Sequence, residues 1–256
     1  MDGKRFGDER RYEILQKVRV DGRVEVASLA TEYGVSTETV RQDLNQLQDS
    51  GMLRRTHGGA VRVEKSLAEQ AVAERTSFSD EKRRIAEAAV RLVPETGSIF
   101  IESGSTLQLL ADSIPQDYEL TVFTNSLPAA VSMAAKPSLT VVTLGGRVRR
   151  LTLGEVDNFA LRSLEEIHVD VAFLGTNGLS IEQGLTTPDS AEAEVKRRTL
   201  SVGTQTVLLA DRSKVDAVSV WRYGAVEDLD VLVMSTGVDD ELVTALEEWV
   251  GRVILA

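Results

Sequence analysis

The 256-residue sequence contains no cysteine and only two histidines, His57 and His168. The absence of cysteine excludes disulfides and thiolate metal sites, and two histidines leave little from which to build a zinc or iron centre. No basic N-terminal segment followed by an apolar stretch opens the chain, and no apolar run approaches ~20 residues. We therefore expect no metal or other cofactor, no membrane segment and a cytoplasmic location.

Acidic residues outnumber basic ones, and the formal net charge of −11 by itself argues against a nucleic-acid partner. The charge is unevenly distributed. Residues 1–65 carry 12 Lys and Arg against 11 Asp and Glu, a net charge of +1, whereas the remaining residues carry 17 against 29, a net charge of −12. The stretch 53–62 contains three arginines and no acidic residue. A local basic surface of this kind can bind phosphates while an acidic region elsewhere stays away from them.

The spacing of apolar residues changes from a helical period to an alternation of short apolar runs and longer amphipathic segments near residue 95. The second pattern predicts an α/β domain with a mostly parallel sheet. Its predicted strands cover 98–102, 120–124, 139–144, 169–174, 206–210, 229–234 and 252–255. Its predicted helices cover 105–113, 126–135, 155–165, 188–203 and 238–249. We divide the chain into a first domain at 1–63, a polar linker at 64–78 and a second domain at 79–256.

Residues 26–50 have the pattern of a helix-turn-helix. Gly34 suits the positive φ of a sharp turn, and Ser36 can cap the second helix. Val40, Leu44 and Leu47 are expected to form the buried face of that helix. Its exposed N-terminal half is the part that reads base edges in the major groove, where Arg pairs with guanine, Gln with adenine, and Thr contacts the thymine methyl. The candidate DNA-binding residues here are Ser36, Thr37, Thr39, Arg41 and Gln42.

Two β-prone arms flank His57-Gly58-Gly59 in the following segment, which predicts a hairpin. Arginines on such a hairpin can grip phosphates or a minor groove. Four further candidates for DNA contact follow: Arg54, Arg55, His57 and Arg62. A simple turn residue is the alternative for His57. A helix-turn-helix alone also occurs in protein-interaction modules, so the basic hairpin is what favours DNA binding.

Three N-terminal segments carry a specific combination of residues. They are Glu9-Arg10-Arg11 with Ile14-Leu15, then Val35-Ser36-x-Glu38-Thr39-Val40-Arg41-x-Asp43-Leu44, then Gly51-x-Leu53-x-Arg55-Thr56-His57-Gly58-Gly59-Ala60-Val61. In this combination the chain resembles the DeoR family of bacterial sugar-metabolism regulators over nearly its whole length. The resemblance implies a winged helix-turn-helix followed by a sensor similar to the ribose-5-phosphate isomerase and glucosamine-6-phosphate deaminase fold. The family usually has a second consecutive arginine where this chain has Gln42, which concerns the operator sequence rather than DNA binding.

Ligands of open parallel sheets bind at the carboxyl ends of the strands, where this sequence gathers small residues and hydroxyls. The loop 103–106 joins a strand to a helix start, where backbone N–H groups suit an anion, although Ser and Thr also cap helices. Glu192 and Lys196 stand four apart, either as an ordinary surface ion pair or as part of a ligand crevice. Thr187 is expected to cap their helix and Pro188 to occupy its first turn.

With the positions that match the family, the candidate effector-binding residues lie after five predicted strands and in the turn and helix start that cover 184–197. They are Ser103, Gly104, Ser105, Thr106, Thr124, Asn125, Gly145, Gly146, Asn177, Gly178, Thr186, Thr187, Glu192, Lys196, Asp211 and Lys214. The resemblance implies that the effector is a phosphorylated sugar. Fructose 1-phosphate, or another hexose phosphate, is the leading candidate.

The predicted function is a DNA-binding transcriptional regulator that represses a carbohydrate operon and leaves its double-stranded operator when a sugar phosphate binds. We expect a homodimer or homotetramer, because one winged module reads only a short half-site. One alternative is a sugar-phosphate isomerase or deaminase that uses Asp211 and Lys214. Another is a regulator that has lost its ligand response. Hydrolytic, nucleophilic and metal motifs are missing, and the N-terminal pattern argues against an enzyme.

Overall fold

The computed structural model of the chain describes residues 3–49, 52–56, 58–62 and 71–256. These residues divide into two compact units, within 1–78 and 79–256, which are described separately. His57 and residues 64–70 of the expected linker lie outside the described residues, as do the side chains of Arg54 and Arg62. Within the described ranges, no helix combines the length and the apolar character needed to cross a membrane.

The first unit is a winged helix-turn-helix. Its elements are α1 (Gly3–Asp21), β1 (Arg23–Glu25), α2 (Val26–Tyr33), α3 (Thr37–Asp49), β2 (Leu53–Thr56) and β3 (Gly59–Arg62). In the sheet, β3 lies between β1 and β2 and is antiparallel to both. The helices and the sheet share one apolar core, in which Val40, Leu44 and Leu47 are fully buried, as the spacing predicts.

The turn between α2 and α3 is made by the residues that the sequence indicates. Gly34 follows α2 with a φ of 63°, in the left-handed region, where a side chain would be unfavourable. The Ser36 hydroxyl accepts a hydrogen bond from the backbone N–H of Thr39 at 3.0 Å and thereby caps α3. The local chemistry of these residues therefore fixes where α3 begins.

The second unit is an α/β domain with elements of both kinds in alternation. In chain order they are α4 (Ser79–Val90), β4 (Thr96–Ile101), α5 (Ser105–Ser113), β5 (Glu119–Thr124), α6 (Leu127–Ala134), β6 (Leu139–Thr143), β7 (Arg147–Arg149), β8 (Gly154–Val156), α7 (Asn158–Glu165), β9 (Val169–Gly175), β10 (Gly178–Ser180), β11 (Gly184–Thr187), α8 (Ser190–Thr199), β12 (Gly203–Ala210), β13 (Trp221–Gly224), β14 (Val231–Met234), α9 (Asp240–Glu247) and β15 (Arg252–Leu255).

Seven strands of this unit form one parallel sheet in the order β15-β14-β12-β9-β4-β5-β6. A first apolar cluster joins α4, α5 and α6 to one face of the sheet, and a second joins α7, α8 and α9 to the other. The chain runs outward from β4 to β6 and then returns to place β9 on the opposite side of β4. The strand order therefore reverses between β4 and β9, which is where open α/β sheets bind ligands.

Three details of the second unit correct the sequence predictions. The helix predicted at 155–165 begins only at Asn158, because residues 154–156 pair with Arg147–Arg149 as the hairpin β7–β8. Helix α8 begins at Ser190, and its N-cap is Asp189, whose side chain accepts the N–H of Glu192. The predictions of Thr187 as cap and of Pro188 in the first turn are therefore wrong, because both residues precede the cap. Strands β10, β11 and β13 form a small antiparallel sheet that no sequence pattern indicated, because strands of three or four residues are too short to display an alternation.

Candidate functional site

The N-terminal half of α3 presents most of the polar side chains predicted to meet DNA. Thr37, Arg41 and Gln42 are exposed, and Thr39 is half-buried. Arg41 lies 3.4 Å from Glu38 in an ion pair whose two side chains are both more than half exposed. Such a pair contributes little to stability, so the Arg41 guanidinium can exchange its partner for a base or a phosphate.

The opposite side of α3 is held by a buried carboxylate. Asp43 is 3% exposed. Its Oδ2 atom accepts from Arg10 Nε at 2.6 Å, and its Oδ1 atom accepts from Arg11 Nη1 at 3.2 Å. Two charge-assisted hydrogen bonds to one buried carboxylate hold α3 against α1, and they explain why polar residues occupy these positions in the N-terminal pattern.

Arg55, on β2, is joined to α3 by its side chain and its backbone. Its Nη1 atom donates to Asn45 Oδ1 at 2.6 Å and to the Arg41 carbonyl at 3.2 Å. Its Nε atom donates to the Gly59 carbonyl at 3.1 Å, and its backbone N–H donates to Gln48 Oε1 at 2.7 Å. The sequence interpretation placed this side chain on DNA, whereas here it links the hairpin to α3.

In the second unit, the loop after β4 meets the loop after β5 and the β7–β8 hairpin. The Ser103 N–H donates to Asn125 Oδ1 at 2.9 Å, and Asn125 Nδ2 donates to the Glu155 carbonyl at 3.3 Å. A Cβ atom at Gly154 would come within 2.6 Å of Ser103 Oγ and 3.0 Å of Ser103 Cβ, so a side chain there would require Ser103 or the hairpin to shift. The loop also holds Gly104, at the N-cap of α5, followed by Ser105 and the buried Thr106.

A buried ion pair lies where the strand order reverses. Lys196 Nζ, on α8, is 2.7 Å from Glu102 Oε2 and donates to the Gly175 carbonyl at 2.8 Å. The Gly175 N–H donates to the same Glu102 oxygen at 3.0 Å, and the ammonium lies 5.3 Å from the ring centre of Tyr223. Burial raises the pKa of Glu102, and Lys196 opposes that shift.

The neighbouring carboxylate, Glu192, pairs with the β7–β8 hairpin and not with Lys196. Its Oε1 atom accepts from Thr152 Oγ1 at 2.5 Å and from Arg149 Nη1 at 3.2 Å. Arg149 Nε also lies 3.1 Å from Asp189 Oδ2. Glu192 and Lys196 are both buried and have other partners. The interpretation of these two residues as a surface ion pair is therefore wrong.

The electrostatics of Asp189 follow from these contacts. Partial burial acts to raise its pKa, but the Glu192 N–H and the Arg149 guanidinium outweigh burial and leave the pKa below its usual value. Asp189 therefore stays ionised, and it holds both the start of α8 and the hairpin arginine.

Several predicted effector residues use their polar atoms within the fold. The Thr124 hydroxyl donates to the Ile101 carbonyl at 2.6 Å, and the Thr186 hydroxyl accepts the Ser219 N–H at 2.9 Å. The Thr187 hydroxyl donates to Asn177 Oδ1 at 3.1 Å, which brings these two residues together beside Glu192. Gly178 is buried in β10, Gly145 donates its N–H to Glu155 Oε2, and Gly146 lines a surface cavity of about 520 Å³.

Asp211 and Lys214 follow β12 at the same edge of the sheet, because β12 runs parallel to β9 and next to it. The Asp211 carboxylate accepts from the N–H and the hydroxyl of Ser213. Burial acts to raise its pKa, but Lys214 and Lys82 outweigh burial and lower it. The adjacent Arg212 forms a 2.9 Å ion pair with Glu81. This part of the predicted site is therefore tied to the start of α4.

Comparison with known proteins now decides the family. The profile of the DeoR-like helix-turn-helix domain matches residues 10–66, and the profile of the DeoR C-terminal sensor domain matches residues 77–236. The chain belongs to the DeoR family. As a member, it is a DNA-binding transcriptional regulator with a C-terminal sensor domain, which confirms the resemblance inferred from its N-terminal segments.

Relatives of this DeoR-family chain align over nearly its whole length. The HTH-type transcriptional regulator GlpR of Haloferax volcanii is 35% identical over 90% of this chain and 91% of that protein. The glycerol-3-phosphate regulon repressor of Haemophilus influenzae is 28% identical over 96% of both. Among solved structures, ribose 5-phosphate isomerase A from Methanocaldococcus jannaschii matches 54% of this chain and 55% of that chain, with 21% identity and a TM-score of 0.40.

Sequence reasoning missed three functional candidates in this DeoR-family sensor: Glu102, Arg149 and Thr152. Glu102 was visible at a strand end, but nothing in the sequence paired it with a lysine 94 positions away. Arg149 and Thr152 lie on a hairpin whose strands have three residues each. The signal of a turn-rich segment that the sequence did offer was its glycines, with Gly145 and Gly146 before the hairpin and Gly154 within it.

Proposed function

We propose that this DeoR-family regulator is a repressor of an operon for carbohydrate uptake or catabolism, and that a phosphorylated sugar releases it from its operator. One observation carries the proposal: a unit with an exposed DNA-reading helix face shares its chain with a sheet whose strand order reverses at a cluster of buried charged side chains. A ligand at that cluster can change DNA affinity only by binding two conformations with different affinity.

On the DNA side, the exposed face of α3 is assigned to base edges. Thr37, Thr39, Arg41 and Gln42 enter the major groove, and Ser36 holds the N-terminus of the helix. The hairpin residues Arg54, His57 and Arg62 are assigned to the phosphate backbone, which positions the unit without reading sequence. Two copies of the chain, in a dimer or a tetramer, would supply two such units to a two-fold operator.

On the effector side, the phosphate is assigned to the loop 103–106. Its backbone N–H groups open helix α5, and helix N-termini stabilise anions. The sugar hydroxyls are assigned to the polar groups of α8 and β11, with Glu192 and Lys196 at the centre, since carboxylates accept hydrogen bonds from hydroxyls and ammonium groups donate them. Asp211 and Lys214 complete the edge next to them.

The phosphorylated class of effector has support from relatives. One of them is named for the glycerol-3-phosphate regulon, and a compound of that kind carries both the phosphate and the hydroxyls that this edge could bind. Fructose 1-phosphate remains the leading candidate among hexose phosphates. We also propose that the chain acts in the cytoplasm, binds its effector without chemical turnover, and needs no cofactor.

Operator binding and release test the proposal together. The full chain would first select duplexes from a randomised DNA library, and the selected duplex would then be titrated with fructose 1-phosphate, glucosamine 6-phosphate, ribose 5-phosphate and glycerol 3-phosphate. We expect one of them to lower operator affinity by about tenfold or more, and unphosphorylated fructose to have no effect. Indifference to every compound, or turnover of a sugar phosphate above background, would contradict the proposal.

A matched pair of variants on α8 tests whether the effector that releases the operator binds beside Glu192. Glu192→Gln removes the charge of a buried carboxylate beside Arg149, whereas Glu194→Gln removes the charge of an exposed one that pairs with Arg197. We expect Glu192→Gln to abolish release by the active compound and Glu194→Gln to retain it, with operator affinity in the absence of the compound unchanged in both. Equal release in the two variants would count against the assigned site.

A further inference from the structure

The hydrogen bonds of Arg55 point to a role that differs from a contact with DNA. We propose that Arg55 is a positioning residue that fixes the β2–β3 hairpin on α3, and that it does not grip a phosphate. The inference rests on the proposed operator binding. It concerns how α3 and the β2–β3 hairpin are held at a constant distance from each other.

The Arg55 guanidinium donates three hydrogen bonds to acceptors within the chain. Nη1 donates to Asn45 Oδ1 and to the carbonyl of Arg41, and Nε donates to the carbonyl of Gly59. A guanidinium grips a phosphate through two parallel N–H groups, and each such pair includes an N–H of Nε or of Nη1. Nε and Nη1 already donate to acceptors in α3 and β3. The guanidinium therefore has no pair of parallel N–H groups left for a phosphate.

The contacted positions of α3 lie on one face. Residues 41, 45 and 48 follow the i, i+4, i+7 spacing of a helix, and Gln48 holds the backbone N–H of Arg55 at 2.7 Å. The Arg41 carbonyl belongs to the residue whose side chain is assigned to a base edge. Arg55 therefore connects the backbone beneath the base-reading face to the hairpin, and its loss would let the two elements shift relative to each other.

The dependence of affinity on salt distinguishes positioning from phosphate contact. A side chain that neutralises a phosphate releases a counterion, so its removal lowers the slope of log affinity against log salt by about one. We expect Arg55→Ala to weaken binding of the full chain to its selected duplex by about tenfold or more, with the wild-type slope retained. Arg62→Ala, on the same hairpin, is the matched control and should lower the slope by about one.

Two further variants test the hydrogen bonds themselves. Arg55→Lys keeps the positive charge but replaces a planar fork by a single ammonium, so we expect it to bind as weakly as Arg55→Ala. Asn45→Ala removes one acceptor, and we expect the double variant Arg55→Ala/Asn45→Ala to bind no more weakly than Arg55→Ala alone. Circular dichroism and thermal melts of each variant distinguish a shifted hairpin from an unfolded unit. If Arg55→Ala does not fold, Arg55→Lys and Asn45→Ala are measured in its place.

Two results would overturn the positioning role. One is a fall in the salt slope of about one for Arg55→Ala, matching the Arg62→Ala control. The other is a return of wild-type affinity in Arg55→Lys, since a phosphate accepts either cation. Both presuppose that the wild-type chain selects a duplex; failure at that step would instead refute the proposed DNA function and this inference with it.

Discussion

At the scale of single residues, the sensor unit places charged side chains where little water reaches them. Lys196 and Glu102 are 6% and 2% exposed in their side chains and meet at 2.7 Å. Burying either charge alone would be costly, and the pair is tolerated because each ion also has backbone hydrogen bonds at Gly175. On the same helix, Glu194 and Arg197 also form an ion pair, but both of their side chains are about half exposed, so such a pair contributes little to stability.

Removal of Lys196 tests how much the buried pair matters. Lys196→Met leaves the Glu102 carboxylate buried without its cation, and we expect the unfolding free energy to fall by about 3–5 kcal/mol. Arg198 lies on α8, as Lys196 does, and forms an exposed 3.0 Å ion pair with Glu165 of α7. Arg198→Met, which breaks that pair, should change the unfolding free energy by no more than about 1 kcal/mol. Urea unfolding followed by tryptophan fluorescence reports this unit, because Trp221 and Trp249 both lie in it. Equal shifts in the two variants would refute the expectation.

At the scale of elements, the wing depends on close contact between strands. Strand β3 pairs with β1 through Gly59, opposite Glu25. A Cβ atom at Gly59 would lie 2.0 Å from the carbonyl oxygen of Val24, whereas one at Gly58 would meet nothing within 4 Å. The first clash is with backbone that cannot turn aside, so the three-stranded sheet requires glycine at this position.

The two glycines of the hairpin therefore make a matched pair of substitutions. We expect Gly59→Ala to separate β1 from β3, with faster amide hydrogen exchange in both strands and weaker DNA binding. Gly58→Ala should keep the pairing and cost about 1–2 kcal/mol, because its φ of 90° is unfavourable for alanine. Hydrogen exchange followed by mass spectrometry of peptides covering both strands measures the difference. Protected strands in Gly59→Ala would show that the sheet adapts to the side chain.

At the scale of the whole molecule, each unit has a hydrophobic core of its own. The core of the first unit is drawn from residues 14–60, and the two apolar clusters of the second unit are drawn from residues 85–250. Separate cores favour separate cooperative transitions. The charge is also unevenly distributed, with the acidic excess in the part of the chain after residue 65.

A substitution in the core of the first unit tests whether the two units unfold independently. Leu44 is fully buried in the first unit, and we expect Leu44→Ala to cost that unit about 2–5 kcal/mol and to weaken operator binding. The tryptophan fluorescence transition, which reports the second unit, should keep its midpoint. Circular dichroism and fluorescence recorded on the same sample would reveal the two transitions. A parallel shift of both signals would mean that the units unfold together.

The sequence by itself determined the features that depend on local chemistry and period. Gly34 and Ser36 specify the turn and the cap of α3 because positive φ and N-capping are properties of single residues. The seven strands of the parallel sheet were predictable because each is a short run rich in Val, Ile, Leu or Thr, which is typical of strands. The net charge of −11 did not indicate DNA binding, but the distribution of charge along the chain did. The reason is that the electrostatic field at a surface depends on the charges near it.

Only the tertiary structure decided which distant groups meet. Glu102 and Lys196 are 94 positions apart and are joined because β4 and β9 are neighbours across the reversal of strand order. Arg149 reaches Glu192 because a hairpin too short to show an alternation folds back next to α8. Arg55 was assigned to DNA from its charge, and its partners in α3 became visible only once β2 was placed beside that helix. Residue type and period set local structure, whereas ion pairs between elements depend on strand order, which no local pattern encodes.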